Sequence, residues 1–117
     1  MKNKNIHLEF DFFILFPGGY RIKDINNGNA DIYILSKSNH FIPYCTTVFT
    51  LENIRTIMEN NDEKWFWSNN YLIVKDLSRE VIYQSVDEIL KDELLDIDSV
   101  FLKVEETVDN AVREDLL

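Results

Sequence analysis

The first segment with a clear hydrophobic pattern is IHLEFDFFILF, residues 6–16, in which apolar and polar side chains alternate as far as Phe12. Alternation with a period of two is typical of a β-strand with one covered face, and the apolar run that follows indicates a strand covered on both faces. We therefore predict a strand over residues 6–16. Pro17-Gly18-Gly19 predicts the turn that ends it, because proline presets the first turn position and glycine adopts a positive φ.

Three further β segments follow in the first half of the chain. Residues 20–25 have a weaker strand pattern, and Asn26-Asn27-Gly28-Asn29 has the composition of a tight hairpin turn. Residues 30–36 and 40–49 are rich in β-forming residues and are separated by the polar residues 37–39. Because short connections join strands that are neighbours, the pattern predicts an antiparallel meander.

Helical spacing replaces strand alternation from residue 50 onward. A first helix is expected after the N-cap Thr50, a second after Ser78 or Asp76, and a third from about Ser99 to Arg113. The segment ELLDIDSVFLKV, where the third helix begins, also fits a strand, and both interpretations remain open. The apolar positions that recur three and four residues apart in the first two helices are Leu51, Ile54, Ile57, Met58, Ile82, Val86, Ile89 and Leu90.

The segment KWFWSNNYLIVK, residues 64–75, lies between the first two helices. We predict a strand in which Trp65 and Trp67 point one way and Phe66 points the other, followed by a turn at Asn69-Asn70 and a strand over residues 71–75. Either Phe66 or the tryptophan pair then enters the core, and the remaining aromatic face stays partly exposed. Phe66 is the preferred core residue.

These elements predict an α+β fold in a single domain, residues 1–117. A mostly antiparallel sheet of four to five strands, begun by the N-terminal meander, is expected to be covered by two or three helices. A chain of 117 residues is long enough to bury one substantial core.

Charge is distributed unevenly between the two halves of the chain. Residues 1–58 hold five acidic and six basic side chains, whereas residues 59–117 hold sixteen acidic and six basic ones. An acidic half repels nucleic acid and anionic membrane surfaces and attracts a basic protein. The other interpretation is that the negative charge serves solubility alone.

The N-terminus and the cysteine usage favour a cytoplasmic protein. The apolar stretch after the first lysines is broken by Glu9 and Asp11, and no small-residue cleavage site follows, so no signal peptide is expected. Cys45 is the single cysteine and has no partner for an internal disulfide. No apolar run approaches the length of about 20 residues that a membrane span requires.

No arrangement of residues in the sequence predicts an enzyme, a metal site or a cofactor site. His7 and His40 lie on different predicted strands, and no sequence motif identifies a catalytic partner for either of them. Cys45 lies in mid-strand, away from the helix N-terminus or cation that activates a nucleophilic thiol. The acidic residues 92–98 lack the glycine and the terminal glutamate of a calcium loop and are interpreted as surface.

The acidic residues and the tryptophans are more consistent with a protein interface. Tryptophans at the rim of an acidic surface resemble interface anchors more than the walls of a ligand pocket. Acidic side chains on the second helix and in the connection after it are expected to face solvent. The predicted partner-binding residues are Asp62, Glu63, Trp65, Trp67, Asp87, Glu88, Asp92, Glu93, Asp96 and Asp98.

The order of features over residues 30–90 resembles a known class of protein. A strand containing Cys45-Thr46-Thr47 is followed by a short helix, the tryptophan segment 65–67, the strand Tyr71–Val74 and an amphipathic helix. This succession is similar to the small immunity proteins of bacterial polymorphic-toxin and contact-dependent growth inhibition systems. Some relatives have proline where this chain has Thr47. The resemblance implies a non-enzymatic inhibitor of one cognate toxin domain and transfers no binding residues.

Sequence and resemblance together lead to a preferred function and an alternative. The preferred function is an immunity protein that neutralises a cognate toxin domain by occluding its active site, with a basic nuclease as the favoured target. The alternative is an acidic adaptor or accessory subunit that docks a basic protein partner. A small enzyme that uses His7 or His40 is a third, less favoured hypothesis.

Overall fold

The computed structural model describes residues 5–38, 43–92 and 100–103, and it confirms the α+β class. A five-stranded mixed sheet is combined with two α-helices and one 3-10 helix. The elements are the 3-10 helix Ile6–Glu9, strand β1 (Phe12–Leu15), β2 (Asn29–Ser36), β3 (Tyr44–Thr50), helix α1 (Leu51–Asn60), β4 (Tyr71–Val74), helix α2 (Arg79–Lys91) and β5 (Leu102–Lys103).

The sheet has the strand order β1-β2-β3-β4, and only one of its pairings is parallel. β1 pairs with β2, and β2 with β3, in antiparallel orientation. β4 runs parallel to the second half of β3, because the crossover through α1 returns the chain to the same end of the sheet. β5 is antiparallel to the beginning of β3, at Tyr44 and Cys45, where β4 does not reach.

The main core lies between one face of the sheet and α2. Residues that alternate along the strands present their side chains to this helix, and they are almost completely buried. The core includes Phe12, Ile14, Ile32, Ile34, Val48 and Val74 from the sheet, Ile82, Tyr83 and Val86 from α2, and Ile6, Phe16, Leu77 and Phe101 from the connecting segments and the 3-10 helix. A smaller cluster of Phe13, Leu15, Tyr33 and Leu35 lies on the opposite face.

Tyr83 of α2 satisfies the backbone of the outermost strand. Its hydroxyl accepts a hydrogen bond from the N–H of Ile14 at 2.8 Å and donates to the carbonyl oxygen of Ile14 at 3.4 Å. Its ring packs against Phe10 and Phe12, with centroid distances of 5.2 and 5.5 Å. An edge strand otherwise offers such groups to another chain, so Tyr83 protects β1 from further pairing.

The local signals for turns and helix caps are confirmed. Gly18 and Gly19 have φ values of 81° and 91°, in the region that glycine favours. Thr50 caps α1 by accepting from the N–H of Asn53, and Ser78 caps α2 by accepting from the N–H of Val81. The alternative cap, Asp76, instead accepts from the N–H of Ser78.

Of the first two predicted strands, the first is correct only in its second half and the second is wrong. Residues Ile6–Glu9 form a 3-10 helix, and only Phe12–Leu15 of the predicted first strand is extended in the sheet. Residues 20–25 are not a strand, because they pack against the connection before α2. There the Tyr20 hydroxyl donates to the carbonyl oxygen of Leu77 at 2.6 Å, and the Leu77 N–H donates to Ile25 at 2.7 Å. Residues 25–27 consequently form a turn that leads into β2 rather than the loop of a hairpin.

The tryptophan segment is also not a strand. Residues 61–70 contain turns and bends but no sheet pairing. The chain does bend at Asn69-Asn70, before β4, but without left-handed backbone there, since Asp62 is the non-glycine residue with positive φ in the part of the chain that is described. The strand after this segment is confirmed as Tyr71–Val74.

The C-terminal prediction is tested only at residues 100–103. Leu102–Lys103 is a strand, so the helix predicted from Ser99 is wrong at these two positions and the strand interpretation is correct there. The remainder of that predicted helix, residues 104–113, lies outside the described residues, as do His40 and the predicted start of the fourth strand. Among the residues that are described, no helix is both long enough and apolar enough to cross a bilayer.

Candidate functional site

The C-terminal end of α1 places two carboxylates at the negative pole of a helix. The N–H of Glu63 donates to the carbonyl oxygen of Met58 at 2.9 Å, and Asp62 between them has a φ of 53°. This geometry is that of a glycine-type helix stop, with aspartate at the left-handed position. Aspartate and glutamate at a helix C-terminus add to the negative end of the helix dipole, so the site concentrates negative potential at the expense of folding stability.

Neither of these two carboxylates is used in an ion pair within the described part of the chain. Arg55, the basic side chain of α1, pairs with Glu52 and Glu59 instead. Asp62 and Glu63 are both exposed. They therefore offer their charge to solvent or to a partner.

Phe66 anchors the aromatic segment that follows. It is half-buried, and its ring meets Phe49 and Tyr71 edge to face, with centroid distances of 5.0 and 6.0 Å. The side chains on either side of it are displayed: Trp65 is 65% exposed and Trp67 is 73% exposed. Phe66 is thus the inward-facing aromatic of the segment, but the prediction that it is a core residue is wrong, because it is only partly buried and belongs to neither core cluster.

We call Asp62, Glu63, Trp65 and Trp67 the tryptophan surface. Two large exposed indoles within three residues are unusual for a small protein, because tryptophan is largely buried on average. The arrangement combines apolar contact area with exposed negative charge. It suits a partner that presents an apolar patch beside basic side chains.

The predicted acidic residues of α2 form a separate group. Asp87 is half-buried and bonded to Lys91, with 2.7 Å between Oδ2 and Nζ, and this bond raises the pKa of Lys91. Glu88 and Asp92 are exposed. Glu93, Asp96 and Asp98, which were also predicted to bind the partner, lie outside the described residues.

The two groups of acids are attached to opposite faces of the sheet. α2 packs through Ile82 and Val86 on the main core face, whereas Phe66 holds the tryptophan surface against Phe49 and Tyr71 on the other face. From the sequence we expected both groups to belong to one interaction surface. The structure places the four members of the tryptophan surface together and sets Asp87, Glu88 and Asp92 apart from them.

Two further exposed apolar residues extend the tryptophan surface and were missed by sequence reasoning. Tyr71 and Ile73 on β4 are about half exposed, and Tyr71 touches Phe66. The run YLIV showed that this strand has two apolar faces. It did not show that the face carrying Tyr71 and Ile73 stays about half exposed.

The surroundings of His7 and Cys45 are those of side chains that stabilise the fold. The ring of His7 lies 4.9 Å from that of Phe13, and its carbonyl oxygen accepts from Lys37 Nζ at 2.6 Å. Burial, and secondarily the charge of Asp31, raises the pKa of the Cys45 thiol, which keeps it neutral. No cluster of three potential metal ligands occurs in residues 5–38, 43–92 and 100–103.

Comparison with known proteins gives this chain no relative from which a role is transferable. No family model, no curated protein and no solved structure matches it.

Proposed function

We propose that this protein is an immunity protein, which binds a cognate toxin domain and neutralises it through the tryptophan surface. The observation that carries the proposal is the exposure of Trp65 and Trp67 beside the exposed carboxylates Asp62 and Glu63. The resemblance of residues 30–90 to small immunity proteins supports the same function. A basic nuclease is the favoured target, because a negative inhibitor surface complements a cleft built to hold nucleic acid.

The anchoring of Phe66 supports binding rather than accidental exposure. Because Phe66 is held by two rings, the indoles on either side of it are presented from a fixed point of the backbone. A backbone segment that is already held in place loses less conformational freedom on binding than a free one. Interface residues of this type often dominate binding, and removing one typically costs about 2 kcal/mol or more, or roughly 30-fold in Kd.

The strain at Asp62 supports the same interpretation. A non-glycine residue with positive φ, and a carboxylate at a helix C-terminus, are both unfavourable for folding. Glycine at this position relieves both. The presence of aspartate at this position is explained if its charge takes part in binding.

The test is co-expression with the C-terminal region of the protein encoded immediately upstream, scored by growth rescue and by a co-purifying complex. The wild-type chain should restore growth, and the double variant Trp65→Ala/Trp67→Ala should lose both protection and complex. Leu8→Ala is the matched control, because Leu8 is 71% exposed and lies on the 3-10 helix. It should protect as the wild type does.

Two further measurements separate binding from folding. The double tryptophan variant should unfold within about 0.5 kcal/mol of the wild type, since exposed side chains contribute little to stability. Phe66→Ala should instead lower stability by about 1–3 kcal/mol, less than a fully buried phenylalanine, because its ring is half-buried. If the double tryptophan variant is folded and protects fully, the tryptophan surface is not part of the interface with the toxin.

Salt dependence tests the electrostatic part of the proposal. Charges at the rim of an interface act mainly on the association rate, and salt screens them over about 10 Å at 0.1 M. The association rate of the purified pair should therefore fall as salt rises, and Asp62→Asn/Glu63→Gln should flatten that dependence. An association rate independent of salt would contradict electrostatic steering by this surface.

A further inference from the structure

A groove of about 370 Å³ crosses the sheet on the face away from α2. Asp31 and Tyr33 of β2 lie beside Thr47 and Cys45 of β3 on its floor. Asp31 pairs with Thr47, and Tyr33 with Cys45, in the strand register, so all four side chains share one face. Leu102 of β5 pairs with Cys45 and joins the same face at the far side.

The groove contains one source of charge, the carboxylate of Asp31. No other residue of the described chain that lines it is acidic or basic. The Thr47 hydroxyl donates to Asp31 Oδ1 at 2.7 Å and so orients the carboxylate. Since a carboxylate accepts about four hydrogen bonds, most of its capacity remains for a donor from outside.

The remaining walls fit the apolar part of a long cationic side chain. Tyr33 contributes an aromatic ring, and Leu102 and Pro17 contribute apolar surface. Cys45 is half-buried and contributes an uncharged thiol. Arginine combines an apolar stem with a planar group that pairs with a carboxylate through two bonds and stacks on aromatic rings, whereas lysine offers a point charge.

The groove is continuous with the tryptophan surface. Residues 68–70, which follow Trp67 directly, form one of its walls. That wall is held in place because Asn70 Nδ2 donates to the carbonyl oxygen of Val100 at 2.9 Å and the Asn70 carbonyl accepts from the Thr47 N–H at 3.4 Å. A partner seated on the indoles therefore lies next to the groove.

We infer that the groove is a receptor for one arginine side chain of the protein partner, with the guanidinium on Asp31 and the stem between Tyr33 and Leu102. This inference rests on the proposed function, because it names the partner chemistry that the tryptophan surface leaves open. It adds a specific requirement to a basic partner: an arginine beside the apolar patch that meets Trp65 and Trp67.

The direct test is a titration of the ¹⁵N-labelled full-length chain with N-acetyl-arginine methylamide, followed by amide chemical shifts. Saturable shifts should be confined to the groove residues on β2 and β3 and to residues 68–70. The neutral analogue N-acetyl-citrulline methylamide should give none, and N-acetyl-lysine methylamide should bind more weakly than the arginine probe. Shifts that do not saturate, or that citrulline reproduces, would overturn the inference, and equal binding of lysine would overturn the assignment to arginine.

A matched pair of variants isolates the charge of Asp31. Asp31→Asn retains an Oδ1 acceptor for Thr47, so it removes charge while preserving the local bond. It should weaken binding of the arginine probe by about fivefold or more, as expected for loss of a charge-assisted bond. Asp24→Asn is the control, because Asp24 Oδ1 accepts from the Asn26 N–H outside the groove and asparagine retains that acceptor. It should leave binding of the probe unchanged.

The two proposals fail in different ways. If the tryptophan variants abolish protection but the arginine probe does not bind, the groove inference is wrong and the proposed function is retained. If the probe binds at Asp31 but the wild-type chain gives no growth rescue, the groove is a guanidinium site and the immunity function is wrong. Equal affinity of Asp31→Asn and the wild type for the arginine probe would exclude Asp31 as its receptor.

Discussion

Tyr83→Phe removes one oxygen atom from the core and tests how the edge of the sheet is stabilised. The ring remains, so its contacts with Phe10 and Phe12 are retained. What is lost is the 2.8 Å bond from the Ile14 N–H and the longer bond to the Ile14 carbonyl. Ile14 and Tyr83 are almost completely buried, so water does not readily replace the hydroxyl.

The magnitude follows from the two backbone groups that lose their partner. A typical hydrogen bond contributes about 1 kcal/mol net, whereas a buried donor left without an acceptor costs about 1–3 kcal/mol. The carbonyl bond adds little at 3.4 Å. We therefore expect Tyr83→Phe to lower the free energy of unfolding by about 2 kcal/mol. For a domain of this size, that corresponds to a fall in Tm of roughly 8 °C.

The assay is urea unfolding of Tyr83→Phe beside Tyr71→Phe, which deletes the same atom from an exposed ring. The midpoint should fall for Tyr83→Phe at unchanged m value, and Tyr71→Phe should remain within about 0.5 kcal/mol of the wild type. Hydrogen exchange of the Ile14 amide should accelerate in the first variant alone. Equal stability of the two variants, with unchanged protection of the Ile14 amide, would refute the role assigned to the Tyr83 hydroxyl.

Three further predictions concern other single positions. Asp62→Gly should stabilise the protein by about 0.5–1 kcal/mol in urea unfolding, because glycine adopts positive φ without strain and removes a charge from the helix C-terminus; destabilisation would contradict this account. Thr50→Val keeps the shape of a buried side chain but deprives the N–H groups of Gly28 and Asn53 of their acceptor. The free energy of unfolding should therefore fall by about 2 kcal/mol, and unchanged stability would exclude the capping bond as a contributor to stability. The rate of Cys45 alkylation should rise at a higher pH than that of a free thiol, because burial and the charge of Asp31 raise the pKa of Cys45. Asp31→Asn should shift the pH of that rise part of the way towards the value of a free thiol. A pH profile of the wild type like that of a free thiol would contradict the burial of Cys45.

The sequence determined the features whose cause is local. Thr50 and Ser78 begin their helices because a side-chain oxygen accepts from an N–H three residues later, and this spacing is visible in the chain itself. Gly18 and Gly19 allow a turn that other residues disfavour. The short polar connection at residues 37–39 likewise predicted that the β segments on either side of it, 30–36 and 40–49, are neighbouring antiparallel strands.

Local patterns misled where a distant segment supplied the partner. Residues 20–25 have the composition of a strand, but Leu77 binds their backbone and side chains outside the sheet. Alternation in the tryptophan segment correctly separated Phe66 from the indoles. It could not show that this segment pairs with no strand, because pairing depends on which chain lies alongside.

Of the two candidate surfaces, the tryptophan surface was predicted from the sequence, whereas the groove was found only in the tertiary structure. Composition along the chain identified Asp62, Glu63, Trp65 and Trp67, since these residues are close in sequence and their types suit an interface. The groove joins Asp31 to Thr47, Cys45 and Leu102, which are brought together only by the register of three strands. Periodicity shows which side chains share a face of one strand, but the neighbours across the sheet are decided by long-range pairing, which a single sequence does not encode in any local pattern.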